Sequence, residues 1–403
     1  MLRYSQGVPA DPQTAPFRSA ARQHTLRERN LELVARAVFG APEPLSRADV
    51  ATSTGLARAT VSTLVDRLVA GGLLAELAPV SAQRAGRPAV PLVPAARSVV
   101  GIGLEVNVDY LGASVMDLTG EVIDERVEPG SFHDSDPTHV LARVGELARD
   151  LAKAAAADGM RVAGARLALP GLVDARTGLL QVAPNLGWST LDPVPLLGLD
   201  DLPVEVANEA KLAGLAELTG DVSSSFLYVS ADVGIGAAIV VDRQLFLGER
   251  GWNGEIGHVR IDPAGPRCGC GSIGCLEQYA GKEAVNRAAG LAPDSPVEAL
   301  VRALEARSPD AEAALHRAGT ALGTALADFV NLVDVGTIVL GGAYTTLLPW
   351  MRDDVESVLS DRVLSAPFAP IELRAAAAGP YAAMAGGARE VLRDVLASPA
   401  DWV

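Results

Sequence analysis

The three cysteines of the chain all fall in one glycine-rich stretch, Cys268-Gly269-Cys270-Gly271-Ser272-Ile273-Gly274-Cys275, and the histidine nearest to it is His258. Three soft thiolates and one imidazole match the ligand set of a closed tetrahedral zinc site. The alternative is a group of buried free thiols, but their crowding into one glycine-rich loop favours a metal. His258, Cys268, Cys270 and Cys275 fill every position of a tetrahedron. No place is left for a metal-bound water, so the implied zinc ion is structural rather than catalytic. Two carboxylates bracket the cluster, Glu255 shortly before His258 and Glu277 just after Cys275. A pinned loop would hold both near one imidazole, and such a group of acceptors suits the hydroxyls of a sugar.

The run from Gly254-Glu255-Ile256-Gly257-His258 to Cys275-Leu276-Glu277 resembles the signature of the ROK family, which contains sugar kinases and sugar-responsive repressors. The rest of the chain has to position this loop and explain its use.

With 403 residues the chain is long enough for two or three domains with sizeable cores. No apolar run is long enough to span a membrane, and the start of the sequence lacks the basic-then-apolar pattern of a secretory signal. Thiols gathered for a metal and an unsecreted chain both point to the cytoplasm. The net charge of −15 hides an asymmetry: residues 1–97 hold 12 Arg, no Lys and 7 acidic residues, leaving 22 basic and 42 acidic residues in 98–403. A basic head on an acidic body is the layout of a small nucleic-acid module attached to something else.

Residues 1–20, rich in Pro, Ala, Gln and Ser, read as a flexible arm. The head follows over 21–97. Leu26, Leu33, Val34, Ala37 and Val38 give the spacing of a first helix, stopped by Gly40 and the prolines at 42 and 44. Ser46 with Asp49 forms a capping-box pattern opening a second helix, and Gly55 supplies a turn. Val61, Leu64, Val65 and Leu68 mark a third helix, closed by Gly71-Gly72. This is a helix-turn-helix pattern. The outer face of the third helix carries Arg58, Thr60, Ser62, Thr63 and Arg67, side chains able to reach phosphates and base edges in a major groove. Strands at Leu73–Leu77 and Val90–Val93 flank a turn with Arg84 and Arg87, a wing suited to a narrow minor groove. The stretch Leu26–Val93 resembles the DNA-binding head of the ROK repressors, Gly86-Arg87-Pro88 included. Ala57 departs from the pattern, since a Ser or Thr cap is expected before the third helix.

Beyond Val99 the periodicity turns to strands. Val99–Val106, Tyr110–Asp117 and Glu121–Val127 form a meander, followed by a helix over Val140–Ala156 and a strand at Ala165–Leu169. A second meander, Phe226–Ser230, Ile235–Val241 and Gln244–Leu247, leads to a helix over 312–332 and a strand at Thr337–Leu340. The repeat predicts two similar α/β lobes. The resemblance makes this body, 98–403 with its zinc loop at 254–277, an actin-like ribonuclease-H fold of sugar-kinase type.

The resemblance also implies roles for residues. Gly171, in Pro170-Gly171-Leu172-Val173-Asp174, would lie near a sugar ring, and Asn208, Glu209, Glu255, His258 and Glu277 would bond its hydroxyls. Pro184-Asn185-Leu186-Gly187-Trp188 matches the next landmark. Kinases of the family open the first meander with Asp-x-Gly-Gly-Thr around the phosphates. Here that stretch is Gly103-Leu104-Glu105-Val106-Asn107, and Glu105 places negative charge where phosphate must sit. The second glycine loop, Asp232-Val233-Gly234-Ile235-Gly236, lacks the family's Thr. The kinases' Asn-Asp is here Asn208-Glu209, one methylene longer at the catalytic base. A misplacement of about 1 Å can cost on the order of 100-fold.

The expectation is a sugar-responsive DNA-binding regulator with no kinase activity. Its partners would be operator duplex and a small sugar or sugar-phosphate effector, and it would act as a homodimer or homotetramer, away from membranes. An active kinase carrying a DNA-binding head is one alternative. A regulator whose body no longer binds sugar is another.

Overall fold

Capping and turn signals decide the local structure of the N-terminal residues. The structure, a computed structural model, describes residues 23–79, 89–218, 222–231 and 234–403. These residues fall into two units, one reaching to Val93 and joined by Leu396–Val403, the other spanning Pro94–Val395. The expected arm at 1–20 and the wing residues Arg84 and Arg87 lie outside the described residues, as do Asp232 and Val233.

In the first unit, α1 (Gln23–Phe39) buries Leu31, Val34, Ala35 and Val38. The stripe expected from sequence is displaced, since Leu26 and Leu33 are exposed and Leu31 and Ala35 take their place inside. β1 (Leu45–Ser46) runs into α2 (Arg47–Thr54). There the Ser46 hydroxyl accepts from the Asp49 N–H, and the Asp49 carboxylate accepts from the Ser46 N–H at 2.9 Å. This is the reciprocal capping box. Gly55, at φ 73°, turns the chain as only glycine does without strain. Then α3 (Arg58–Ala70) buries Val61, Leu64, Val65 and Leu68, and Ala57 gives it no side-chain cap. β2 (Leu74–Glu76) and β3 (Pro91–Pro94) complete a sheet of order β1-β3-β2. Arg47 ties the unit together by pairing with Asp66 at 2.7 Å and Glu76 at 2.8 Å.

The body was expected to include everything from 98 to 403, but its last residues belong to the first unit. Pro399–Asp401 forms a turn packed on α1, with Pro399 buried.

The second unit repeats one plan. β4 (Val99–Val106), β5 (Tyr110–Asp117) and β6 (Val122–Pro129) are an antiparallel meander. α4 (Pro137–Ala157), capped by Asp136, leads to β7 (Arg161–Leu169), parallel to β4. A small sheet of β8 (Leu172–Val173), β9 (Leu180–Ala183) and β10 (Trp188–Leu191) follows. A turn of helix, α5 (Val194–Leu197), then precedes β11 (Val204–Asn208), which is parallel to β7. The sheet order is β11-β7-β4-β5-β6. After α6 (Glu209–Ala216) come β12 (Phe226–Ala231), β13 (Ile235–Val241) and β14 (Gln244–Leu245), again antiparallel.

Four helices follow: α7 (Glu277–Ala280), α8 (Lys282–Ala288), α9 (Val297–Glu305) and α10 (Pro309–Val333). β15 (Thr337–Gly342), α11 (Ala343–Arg362), β16 (Glu372–Ala375) and α12 (Ala382–Ala397) finish the chain's regular structure. The second sheet reads β14-β13-β12-β15-β16, the same order as the first. In both, the central strand is buried along nearly its whole length because helices cover it, β4 with Glu105 among its apolar residues and β12 with only Ser230 half-buried. β6 lies at an edge and is half exposed, which is why it is the charged strand.

Candidate functional site

The excursion between β14 and α7 carries the clustered thiols. The ligand atoms of His258, Cys268, Cys270 and Cys275 all lie within 4.8 Å of one another. Cys270 Sγ and Cys275 Sγ are 3.7 Å apart, and Cys268 Sγ is 3.8 Å from His258 Nδ1. A tetrahedron with zinc–sulfur bonds of about 2.3 Å has edges of about 3.8 Å, so the residues fit the ion. A short turn presents the first two thiols: the Cys268 N–H donates to Ser272 O at 2.9 Å and the Gly271 N–H to Cys268 O at 3.0 Å. Burial, with Cys270 and Cys268 beside it, pushes the Cys275 thiol up to about 12, whereas the Ser272 N–H draws Cys270 below its ordinary value. Three thiols this close cannot all ionise unless a cation joins them.

The same excursion aims two carboxylates inward. Gly254, at φ 89°, lets the turn bearing Glu255 lie directly on β13, where a Cβ would stand 3.0 Å from the Ala237 carbonyl carbon. Glu277 starts α7 and accepts from the Ile235 N–H. Its Oε1 also lies 3.9 Å from Cys268 Sγ, which joins the carboxylate to the thiol cluster. Burial raises both carboxyls above the ordinary range. Lys211 and then His258 pull Glu255 back down, and His258 does the same for Glu277.

Lys211 went unnoticed in the sequence. It is 5% exposed, donates from Nζ to Gly251 O, and is lowered by burial against the pull of Glu255. Its sequence signal is a lysine in the first turn of a helix whose remaining residues, LAGLA, are all apolar.

Asn208 caps α6, its Oδ1 accepting from the Lys211 N–H at 3.2 Å, while its Nδ2 donates to Gly171 O at 3.0 Å. That bond fixes the loop at Gly171, whose φ of 92° brings it against the Val182–Ala183 backbone. Asn185 Nδ2 and Glu277 Oε2 converge over Gly234, where a Cβ would meet them at 3.3 and 2.8 Å. Both line a polar cavity of about 190 Å³, together with His133, Asp134 and Arg287. Glu209 stands apart from this group. It lines a larger cavity of about 510 Å³ with Glu105, Tyr110, Tyr228 and Lys282.

In the first unit, Arg58, Thr60, Thr63 and Arg67 lie exposed along α3 and Ser62 is half-buried. The Ser62 carbonyl accepts from Arg47 at 2.9 Å, so this residue also helps to anchor the helix. Among the described residues no helix is long and apolar enough to cross a membrane.

A sequence model described as the ROK family matches residues 101–393. The chain is 26% identical over 401 residues to the xylose repressor of Caldicellulosiruptor bescii, covering 93% of this chain and 98% of that one. Among solved structures it resembles a ROK family transcriptional regulator described as a homologue of the E. coli MLC protein. That likeness has a TM-score of 0.77 at 27% identity, over 92% of this chain and 98% of the other. It also resembles the ROK hexokinase of Thermus thermophilus, with a TM-score of 0.61 at 28% identity, over 73% of this chain and 99% of the kinase.

Proposed function

This chain belongs to the ROK family, and from that premise we propose that it is a sugar-responsive transcriptional repressor. The observation that carries the reading is the extent of the two structural likenesses. The hexokinase is used up over 73% of this chain, whereas the transcriptional regulator runs over 92% of it. The surplus has the size of the N-terminal unit, which we read as a winged helix-turn-helix. Its α3 would lie in a major groove, with Arg58, Thr60, Ser62, Thr63 and Arg67 toward phosphates and bases and Arg84 and Arg87 in the wing. A palindromic operator would require a homo-oligomer, since one small head makes too few contacts for tight specific binding.

The second unit is the sensor in this reading. Gly171, Asn208, Glu255, His258 and Glu277 form the sugar side, with Asn185 beside Glu277 and Lys211 beside Glu255. Buried carboxylates matched to hydroxyls reject a sugar that lacks one, because an unmatched buried acceptor costs about 1–3 kcal/mol. A zinc ion on His258, Cys268, Cys270 and Cys275 would supply no reactive water, only a fixed loop. Glu105 and Glu209 line the same cavity, and two carboxylates there oppose the phosphates of a nucleotide. The sensor is therefore read as non-catalytic, and reduced thiols kept for a metal fit a cytoplasmic protein.

The reading is tested by selecting duplexes from a random pool with the intact protein, then measuring their retention with and without D-xylose, D-glucose and N-acetylglucosamine. Melting shifts identify which sugar binds. Selective retention that one of these sugars changes is the expected result. A coupled assay with ATP and the same sugars should stay at blank. Turnover in the usual range of about 1–1000 per second would make the chain a kinase with an accessory head.

A further inference from the structure

α12 is pressed backbone to backbone on the second unit. A Cβ on Gly386 would stand 2.6 Å from the Leu212 carbonyl carbon of α6, and one on Gly103 of β4 would stand 2.7 Å from the Met384 carbonyl carbon. α6 is the helix that Asn208 caps and that carries Glu209 and Lys211. Farther along, Arg166 on β7 pairs with Glu390 at 3.5 Å and Asp394 at 3.0 Å. Past Val395 the chain belongs to the first unit.

In that unit the tail meets the end of α3. Pro399 is buried in the turn on α1. Gly71 closes α3 with φ −77° and ψ −3°, angles any residue adopts, so conformation does not call for a glycine there. Space does. A Cβ at 71 would stand 2.9 Å from the Trp402 carbonyl oxygen and from Val403 Cα, and nearer still to Val403 Cγ1. Two of those atoms are backbone, so a side chain at 71 would have to lift the tail itself. The absence of a side chain at 71 is what lets the C-terminus seat on the helix carrying Arg58 and Arg67.

We propose that residues 396–403 are a working part of the DNA-reading unit, and that α12 carries the sugar-dependent change from α6 to the end of α3. The first half of this statement stands on packing alone, and the second rests on the repressor reading. Contacts between backbones leave no side chain to absorb a displacement. A helix of 16 residues, about 24 Å long, transmits a shift at one end as a shift at the other. One element would then be biased by both sites, which is the physical requirement for coupling.

The test is a cycle of four proteins: the full chain, Gly71→Ala, a chain ending at Ser398, and that shortened chain with Gly71→Ala. Each is assayed for affinity to the duplex the full chain selects, and for melting with D-xylose, D-glucose and N-acetylglucosamine. Gly71→Ala should weaken DNA binding about tenfold in the full chain and leave it unchanged in the shortened one, where nothing remains to clash. The shortened chain should keep its sugar-induced melting shift while its residual DNA binding ignores the sugar. An equal cost of Gly71→Ala in both backgrounds overturns the tail's role. A shortened chain whose DNA binding still responds fully to sugar overturns the path through α12. If the full chain selects no DNA, the repressor reading fails instead. The cycle read by melting then still decides whether the tail seats on Gly71.

Discussion

Between Gly254 and Glu277 the chain makes isolated bridges at Arg260–Cys275 and Arg267–Ile273 and no regular strand, whereas from Arg58 to Ala70 it is one unbroken helix. In the proposed reading both stretches present polar side chains for recognition. The helix is held from within, by Val61, Leu64, Val65 and Leu68 on its buried face and by Arg47 beneath. The loop has few apolar anchors beyond Ile256 and Leu276, and besides its backbone hydrogen bonds it has four candidate ligand atoms within 4.8 Å of one another, which in the proposed reading an ion would join. A metal-held loop can place carboxylates such as Glu255 and Glu277 in a buried site where a helix could not bend to put them. Such a loop would be correspondingly fragile, because a single lost ligand would release it.

That contrast is broken most strongly at the metal. Cys275→Ser removes a fully buried ligand, and losing a structural metal belongs to the short class of changes costing about 4 kcal/mol or more. Elemental analysis should show zinc well below one per chain, and the sugar-induced melting shift should vanish while the selected duplex is still bound. Near-stoichiometric zinc in the unaltered protein is the companion requirement, and its absence removes the metal from the account.

On the helix the comparable change is smaller and of another kind. Arg58→Ala and Arg67→Ala should each cost about 1–3 kcal/mol of duplex binding wherever the side chain reads a base. A residue touching only phosphate should instead lower the salt dependence and spare sequence preference. Neither change should move the melting temperature, because both side chains are exposed. A large loss of stability would show that α3 is not the independent recognition face described.

Glu255→Gln separates binding from stability in the loop. Burial raises the Glu255 carboxyl above its ordinary 4.5. A group raised on folding contributes stability below its unfolded pKa, and that contribution is lost as pH rises through the folded value. Above its folded value the ionised carboxylate is a burden that Lys211 only partly offsets, so the uncharged amide should gain in melting temperature relative to the carboxylate as pH rises. The difference should shrink as pH falls toward the ordinary carboxylate range. Sugar response should weaken, by about 1–3 kcal/mol of binding, as a matched acceptor is lost. An unchanged sugar midpoint would place the ligand elsewhere.

How far these regions could be read from sequence follows from how each is held. The third helix was legible residue by residue, because its buried positions, its glycine stop and its missing cap are local features. β4, β5 and β13 have the bounds that their alternation and turns imply. The clustering of the four candidate ligands was legible because cysteine is so sparing here. The stripe of α1 was misplaced because Leu26 and Leu33 share the periodicity of Leu31 and Ala35 within a step, and tertiary packing chose between them. Lys211 was missed because nothing local marks a lysine as buried; Gly251 and Glu255, which hold it, are distant in sequence. The seating of Trp402 and Val403 on Gly71 was missed for the same reason.

The smallest expected effect sharpens the contrast from the helix side. Ala57 already has the backbone of an N-cap, φ −62° and ψ 140°, and its carbonyl accepts the first helical bond from the Val61 N–H at 3.0 Å. It lacks only a side-chain acceptor for the free N–H groups of the first turn. Ala57→Ser supplies one without moving the chain, and the position is exposed, so the hydroxyl displaces nothing. The gain should be about 0.5–2 kcal/mol for the first unit, read as a higher denaturant midpoint at unchanged slope. Zinc content and the sugar-induced shift should not change, since the cap acts on α3 alone. No gain in midpoint would mean that another group already satisfies the start of α3, and the helix would then depend on outside help as the metal loop does.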